Sequence, residues 1–454
     1  MIAGEKESWR NWSGTVACRP EIIQPASLEE LARTVAECAR AGRHLRVVGA
    51  GHSFTPLVES DDVLLSLDHL QGLEKVDRER GTAVVLAGTR LGRLGELLLA
   101  HGLAQENLGD IDVQSIAGAI STGTHGTGLR FGSLSTQVVA LTLVTASGDL
   151  IECSEEENRD LFKAAQVSLG TLGVIAKVTL RVVPARPLHY IGRRASLDDC
   201  LDNLERYRQE NEHFEFFWFP YTPWVQAKWI NTTEEAVRQH SRWGRLWSNV
   251  NQLVLENGVF WLLSEANRLV PALSATVSRI SALGVASVDE IDYPHRIFAT
   301  PRLVRFVEME YSIAADQLRP VLEEIRACIE EQRFKVHFPV ECRFVKGDDI
   351  WLSPAYGRDS AYVAVHMYKG MEYKPYFRHV EAIFRRYEGR PHWGKIHTRR
   401  PEELAALYPR WHDFRRLRAQ LDPQGVFLNP YLRELFAVDE PLPTPASQSE
   451  PASS

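Results

Sequence analysis

The sequence predicts an α+β fold in two parts, and three observations predict it. Residues 1–184 alternate short apolar strands with helices, the proline pair Pro184 and Pro187 interrupts that pattern, and an aromatic-rich stretch follows. At 454 residues the chain is also too long for one ordinary core.

Taken in order, Glu21-Ile22-Ile23 before Pro25 reads as a strand. Ser27 and Glu30 form a capping box that opens a helix with Leu31, Val35 and Cys38 on one face, and Gly42 ends it. His44–Val48, Val63–Leu67 and Thr82–Ala87 read as strands and Leu91–Leu99 as a helix. Gln137–Thr145 and Gly173–Val183 are longer β-rich runs. Beyond the prolines, strands are expected at Phe214–Phe219, Val304–Tyr311 and Ala361–Tyr368. Helices are expected at Asp316–Glu331, Tyr376–Tyr387 and Pro401–Ala419, which gives an antiparallel sheet flanked by helices. The moderately apolar run Leu253–Leu283 reads as a packed helix. Residues 439–454, rich in Pro, Ser and Glu, read as a disordered tail.

Composition excludes several classes. A hydrophobic fraction of 44% and a charged fraction of 24% are those of a soluble globular protein. The net charge of −7 argues against nucleic acid and anionic membranes as partners. Cys18, Cys38, Cys153, Cys200, Cys328 and Cys342 are scattered without a Cys-x-x-Cys pair. Reduced thiols and a cytoplasmic location are the reading, with no disulfide framework or structural zinc. The first residues carry no apolar leader, and no apolar stretch reaches the roughly 20 residues that span a bilayer.

The most informative stretch runs from Arg46 to Pro56. An apolar strand enters Gly49-Ala50-Gly51, and His52 and Ser53 follow at once. Glycines there allow positive φ and close backbone approach, and the freed N–H groups suit a pyrophosphate. The pattern points to a bound dinucleotide, attached through His52. A plain strand-to-helix turn fits the two glycines as well, and the six-residue Rossmann fingerprint fails because position 54 is Phe. A second loop, Gly118 to Gly128, adds four glycines, three threonines and a serine, a density of hydroxyl and N–H groups suited to phosphate and flavin edges. Gly170 and Gly173 lead into an apolar strand in the same manner.

The second part offers chemistry. Glu341 and Arg343 alternate in a strand-like run and share one face, which could equally be a solvated one. Trp393 and Lys395 are read as lining a pocket. His392 and His397 lie five residues apart, poor spacing for one helical face, and no metal is expected.

Together these runs resemble the sugar-1,4-lactone oxidases of the vanillyl-alcohol-oxidase and p-cresol methylhydroxylase superfamily, with the L-gulonolactone oxidases as the nearest likeness. The resemblance rests on RVVGAGHS (46–53), NLGDIDVQSIAGAISTGTHGTG (107–128), HFPVECRF (337–344), DDIWLSPAYGRDS (348–360), GRPHWGKIH (389–397) and LDPQGVFLNPYL (421–432), in family order over nearly the whole chain.

The resemblance implies a two-domain FAD-binding fold: residues 1–184 hold FAD, 185–420 form an antiparallel-sheet cap over substrate, and 421–438 return to the FAD domain. It implies FAD contacts from Val48, Gly49, Ala50, Gly51, His52, Ser53 and Phe54. It extends them to Gly109, Ser115, Gly118, Ser121, Thr122, Gly123, Thr124, His125 and Gly128, and to Gly173, Val174 and Lys395. His52 stands where covalent members bind the flavin, whereas plant galactonolactone dehydrogenases place a leucine there. No cysteine lies between Gly109 and Gly128 to make a second bond. Ser115, Glu341, Arg343 and Lys395 match the residues that surround substrate in related alditol oxidases. The implied reaction is oxidation of an aldono-1,4-lactone at the C2 hydroxyl, L-gulono-1,4-lactone first, giving L-ascorbate. Oxygen or another electron acceptor would take the electrons. Alternatives are an alditol oxidase, an NADPH-dependent flavin reductase and a non-catalytic carbohydrate-binding protein. Tyr368 with Lys369 leans toward the lactone reading. No segment specifies an oligomeric state.

Overall fold

Ser27 accepts a hydrogen bond from the Glu30 N–H and opens the helix Leu28–Arg40, which buries Leu31, Val35 and Cys38. Gly42 follows at φ +65°, a conformation that stops the helix. In this computed structural model, which describes residues 5–237, 257–300 and 304–440, that helix belongs to a small parallel sheet. The order is Glu21–Ile23, Val63–Ser66, Leu45–Val48. A five-stranded antiparallel sheet lies beside it, in the order Leu150–Ser154, Val138–Val144, Val174–Arg181, Thr82–Leu86, Leu73–Asp77. One hydrophobic core joins both sheets with the helix Leu91–Ala100.

The chain then enters an eight-stranded antiparallel sheet. Its order is Val288–Asp292, Leu188–Ser196, Trp224–Thr232, His213–Trp218, Val340–Val345, Ser360–Tyr368, Phe306–Ala314, Arg390–Pro391. The helices Leu318–Gln332 and Lys374–Arg386 cover one face and close a second core through Val321, Leu322, Ile325, Val380 and Phe384.

Three sequence expectations change. The helix expected over Pro401–Ala419 is two helices, Pro401–Leu407 and Trp411–Leu421, because Pro409 forces Tyr408 into an extended conformation. The Leu253–Leu283 run is likewise two helices, Asn257–Leu269 and Ser274–Leu283, separated by a turn at Pro271; its first residues, 253–256, lie outside the described residues. It is not packed all round: Trp261, Leu262, Leu269 and Leu283 are exposed. Among the described residues no helix is long and apolar enough to cross a membrane. Finally, Trp393, Leu404, Tyr408, Trp411 and Phe414 pack into the first core together with Val426–Leu428, so the return to that core begins well before residue 421. Of the tail expected at 439–454, residues 441–454 lie outside the described residues.

One buried cation ties the first part together. Arg46, on the strand Leu45–Val48, donates to the carbonyl oxygens of Leu57 (2.7 Å), Leu169 (2.6 Å), Gly170 (2.9 Å) and Phe427. Burial lowers its pKa to about 9, with Asp422 opposing, so it stays charged at neutral pH. Arg46→Met would leave those carbonyls without a donor, at about 1–3 kcal/mol for each buried unpaired group. The expected outcome is a loss of several kcal/mol of unfolding free energy, seen as a lower denaturant midpoint by circular dichroism; an unchanged midpoint would show that water replaces the guanidinium.

Candidate active site

Two cavities meet inside the molecule. A cleft of about 940 Å³ runs along the first part and a chamber of about 650 Å³ lies between it and the eight-stranded sheet. His52, Ser53, Gln114 and Thr122 line both and form their common wall.

The cleft is built from three loops. Val48, Gly49, Ala50, Gly51, His52 and Ser53 come from the end of a parallel strand, and Ser115, Gly118, Ser121 and Thr122 from the short helix Ile116–Ser121 and its cap. Leu169, Gly170 and Gly173 come from the loop that Arg46 holds. Gly49 has no room for a side chain: a Cβ there would sit 2.4 Å from Ser115 Oγ. Gly51 turns the chain at φ +67°. The buried Gln114 Oε1, at the junction, has no hydrogen-bond partner, while Nε2 donates to Thr124 Oγ1 at 3.2 Å. Bare glycine backbone along a long cleft, with an unsatisfied amide oxygen at its inner end, fits a dinucleotide such as FAD.

His52 itself is mostly buried and stacks on Trp12, ring centroids 5.2 Å apart. Burial first, then the charges of Lys395 and Arg90, lower its pKa to about 4, so its ring is neutral and keeps a lone pair at neutral pH.

Strand register sets the chamber. Phe217 pairs with Glu341, Glu341 with Ala364 and Ala364 with Glu310, so one row across the sheet reads Glu341–Ala364–Glu310. The next carries Arg343 beside Tyr362, and another pairs His366 with Glu308. Period-two alternation turns all these side chains to one face. That face is not solvated: Glu341, Arg343, Glu308, Glu310 and His366 are all buried. Arg343 meets Glu341 at 2.6 Å, Glu215 at 2.7 Å and Asp110 at 3.4 Å. Lys395 pairs with Glu308, and Lys228 with Glu215 at 2.8 Å. Burial would lower the Arg343 and Lys395 pKa values; Glu215 and Glu341 around the first, and Glu308 and Glu310 around the second, raise them instead. Both side chains therefore stay cationic.

Of the residues expected from the sequence, His52, Ser53, Gly109, Thr122, Thr124, His125, Glu341, Arg343 and Lys395 come together in the chamber wall. Ser115 does not: it lines the cleft and caps the short helix, accepting from the Gly118 N–H. Phe54, Gly123, Gly128 and Val174 line neither cavity. Phe54 stacks near Phe306 behind Lys395, Gly128 donates its N–H to Phe344 O, and Val174 is buried in the first core with Ile175 facing the cleft in its place. Tyr368 donates to Glu265 and does not line the chamber.

Sequence reasoning missed Asp110, Gln114, Glu308, Glu310 and His366, and weighed His392 only as a metal ligand. A signal existed for two of them: Glu308 and Glu310 alternate in the otherwise apolar run Phe306–Tyr311, as Glu341 and Arg343 do in theirs. His125, Glu310 and His392 also bring ligand atoms within 4.8 Å of one another, a spacing open to a metal ion. Their hydrogen bonds give another role. Both His125 nitrogens face acceptors, Gly126 O at 2.9 Å and Glu310 Oε1 at 3.1 Å, while His392 Nδ1 accepts from the Gly394 N–H. His125 and Glu310 are thus partners of each other.

Burial alone would raise the Glu215 pKa, but Arg343 and Lys228 outweigh it and lower it from 4.5 to about 2. A depressed carboxylate contributes stability that is present above its unfolded pKa and lost as pH falls through the folded one. The melting temperature should therefore fall steeply between pH 4.5 and about 2. Glu215→Gln should flatten that slope; an identical slope in calorimetry would exclude Glu215 as its source.

Comparison with known proteins gives a consistent picture. Residues 178–435 match the family model described as D-arabinono-1,4-lactone oxidase, and residues 20–154 that of an FAD binding domain. The L-gulono-1,4-lactone dehydrogenase of Mycobacterium tuberculosis is 41% identical over 429 residues, 94% of this chain and 99% of that protein. The L-gulonolactone oxidase of Bos taurus is 34% identical over 445 residues, 96% of this chain and 100% of that protein. Cholesterol oxidase from B. sterolicum superimposes with a TM-score of 0.80 at 20% identity, over 95% of this chain and 97% of that one, a likeness of fold alone.

Proposed function

The chain belongs to the sugar-1,4-lactone oxidase family, oxidoreductases that use FAD to oxidise CH–OH groups, and we propose that it oxidises an aldono-1,4-lactone at the C2 hydroxyl. L-Gulono-1,4-lactone is the first candidate, giving L-ascorbate after tautomerisation, with oxygen or another acceptor taking the electrons. The observation that carries this reading is the chamber: two buried cations, Arg343 and Lys395, stand among carboxylates beside the wall shared with the FAD cleft.

FAD supplies a two-electron acceptor for the hydride that leaves the carbinol carbon. Arg343 and Lys395 stabilise the negative charge that grows on the hydroxyl oxygen, strongly so in a buried site. Glu341 and Glu308 accept hydrogen bonds from ring hydroxyls with the lone pairs their cations leave open. Gly49 to Ser53 hold the cofactor by backbone N–H groups and close approach.

His52 carries the covalent link in this reading. Its neutral ring retains the lone pair that attachment requires, it lines both cavities, and stacking on Trp12 orients it. In the wild type the yellow colour should stay in the pellet after acid precipitation. His52→Ala should release it to the supernatant while still binding some FAD; colour retained in the variant's pellet would refute the assignment.

Lys395→Met should lower kcat on lactone by about 10²–10³-fold, the scale for loss of one donor to a developing oxyanion. Its flavin-to-protein ratio should stay at the wild-type value. Equal losses of flavin and turnover would place Lys395 in cofactor binding instead. The same assay run with polyols separates a lactone enzyme from an alditol oxidase.

A further inference from the structure

We propose that His366 is the general base that takes the hydroxyl proton during oxidation, an inference that rests on the lactone-oxidising reading of the chamber. The tautomer is set by the backbone. His366 Nδ1 lies 3.0 Å from Pro339 O, and a carbonyl only accepts, so Nδ1 carries the proton. With that tautomer, the lone pair of an unprotonated ring is on Nε2. That atom lies 3.6 Å from Glu308 Oε1, beyond hydrogen-bond reach, and the side chain lines the chamber. Phe306, at 5.1 Å and nearly perpendicular, and Phe338, at 6.4 Å, hold the ring in place.

The other ionisable groups of the chamber are committed elsewhere. Glu308 is bonded to Lys395, and although burial would raise its pKa, the charge of Lys395 leads the interactions that lower it. Glu310 is paired with His125, and Glu341 and Asp110 with Arg343. His392 accepts on Nδ1, which leaves its proton on Nε2 as a donor, and burial keeps it neutral at neutral pH. Arg343 and Lys395 stay protonated. Among the described chamber residues outside the His52 link, His366 thus offers a ring nitrogen with no hydrogen-bonded partner on a side chain that lines the chamber.

The step balances. The O–H bond breaks, its electron pair becomes the new C=O bond, and the proton goes to Nε2. The C–H bond breaks and its electron pair leaves as hydride, so the carbinol is oxidised and FAD is reduced. The imidazolium formed faces Glu308; the other titratable groups lining the chamber are Lys395, Glu310, Glu341, Arg343, Asp110, His52, His125 and His392. Glu308 would thereby stabilise the protonated base, as a carboxylate does behind an imidazole.

The test uses FAD-loaded wild type, His366→Gln and His366→Ala. The expected kcat loss is about 10²–10⁴-fold with KM changed only a few-fold. The wild-type kcat/KM should fall on the acid side as the base protonates, and the variants should lose that limb. Added imidazole should partly restore His366→Ala. Flavin content, melting temperature and the Kd for the product lactone, read by perturbation of the flavin spectrum, should stay near wild type. A His366→Gln enzyme that keeps its rate and acid limb, or whose loss follows that of lactone affinity, overturns the base alone. A wild type that turns over no lactone overturns the functional reading, and the base with it.

Discussion

The burial of charge on one face of the eight-stranded sheet governs the rest of the structure. A guanidinium cannot be taken from water without partners, and Arg343 has Glu341, Glu215 and Asp110, two from its own sheet and one from the first part of the chain. Lys228 then balances Glu215, and Lys395 balances Glu308. Such a network adds little to stability against an apolar sheet of similar volume. What it provides is a buried, charged surface on which charge developing in a substrate is already compensated.

That surface has to be held against the cofactor cleft, and the glycine-rich loop does so. Thr127 Oγ1 donates to Phe214 O at 2.6 Å and accepts from the Phe344 N–H at 3.1 Å, His213 Nδ1 lies 2.8 Å from Thr127 O, and Gly128 N–H donates to Phe344 O. The loop that reads as a phosphate cradle therefore also works as a hinge pin between the sheets. On the other side, Arg46 gathers Leu57, Leu169, Gly170 and Phe427 beneath the cleft. Leu169 sits there at φ +52°, a conformation its bound carbonyl helps maintain. The two cavities are thus framed from below by one buried arginine and from above by another.

Much of this was legible in the chain. The strand before Gly49, the capping box at Ser27, His52 in its loop and the alternating Glu341 and Arg343 are local patterns, and local patterns survive folding because backbone conformation and side-chain period are properties of a few adjacent residues. Breaks were harder to place: Pro409 divides a helix that periodicity alone extends. Ser115 shows the limit of a motif match, since its position in the run is right while its hydroxyl is engaged with Gly118 on the cleft side.

The sequence by itself determined the family, the two-part α+β layout, the dinucleotide loops and the cationic pair Arg343 and Lys395. Only the tertiary structure decided whether the charged face was wet or dry, and which partners it would have. Glu215, the pair Glu308 and Glu310, and His366 come from separate strands that strand order and register bring to Arg343 and Lys395, and Asp110 reaches Arg343 from the first part of the chain. Whether a carboxylate is solvated or buried beside a cation depends on what packs over it. That is a property of pairing between distant segments, which no local spacing records.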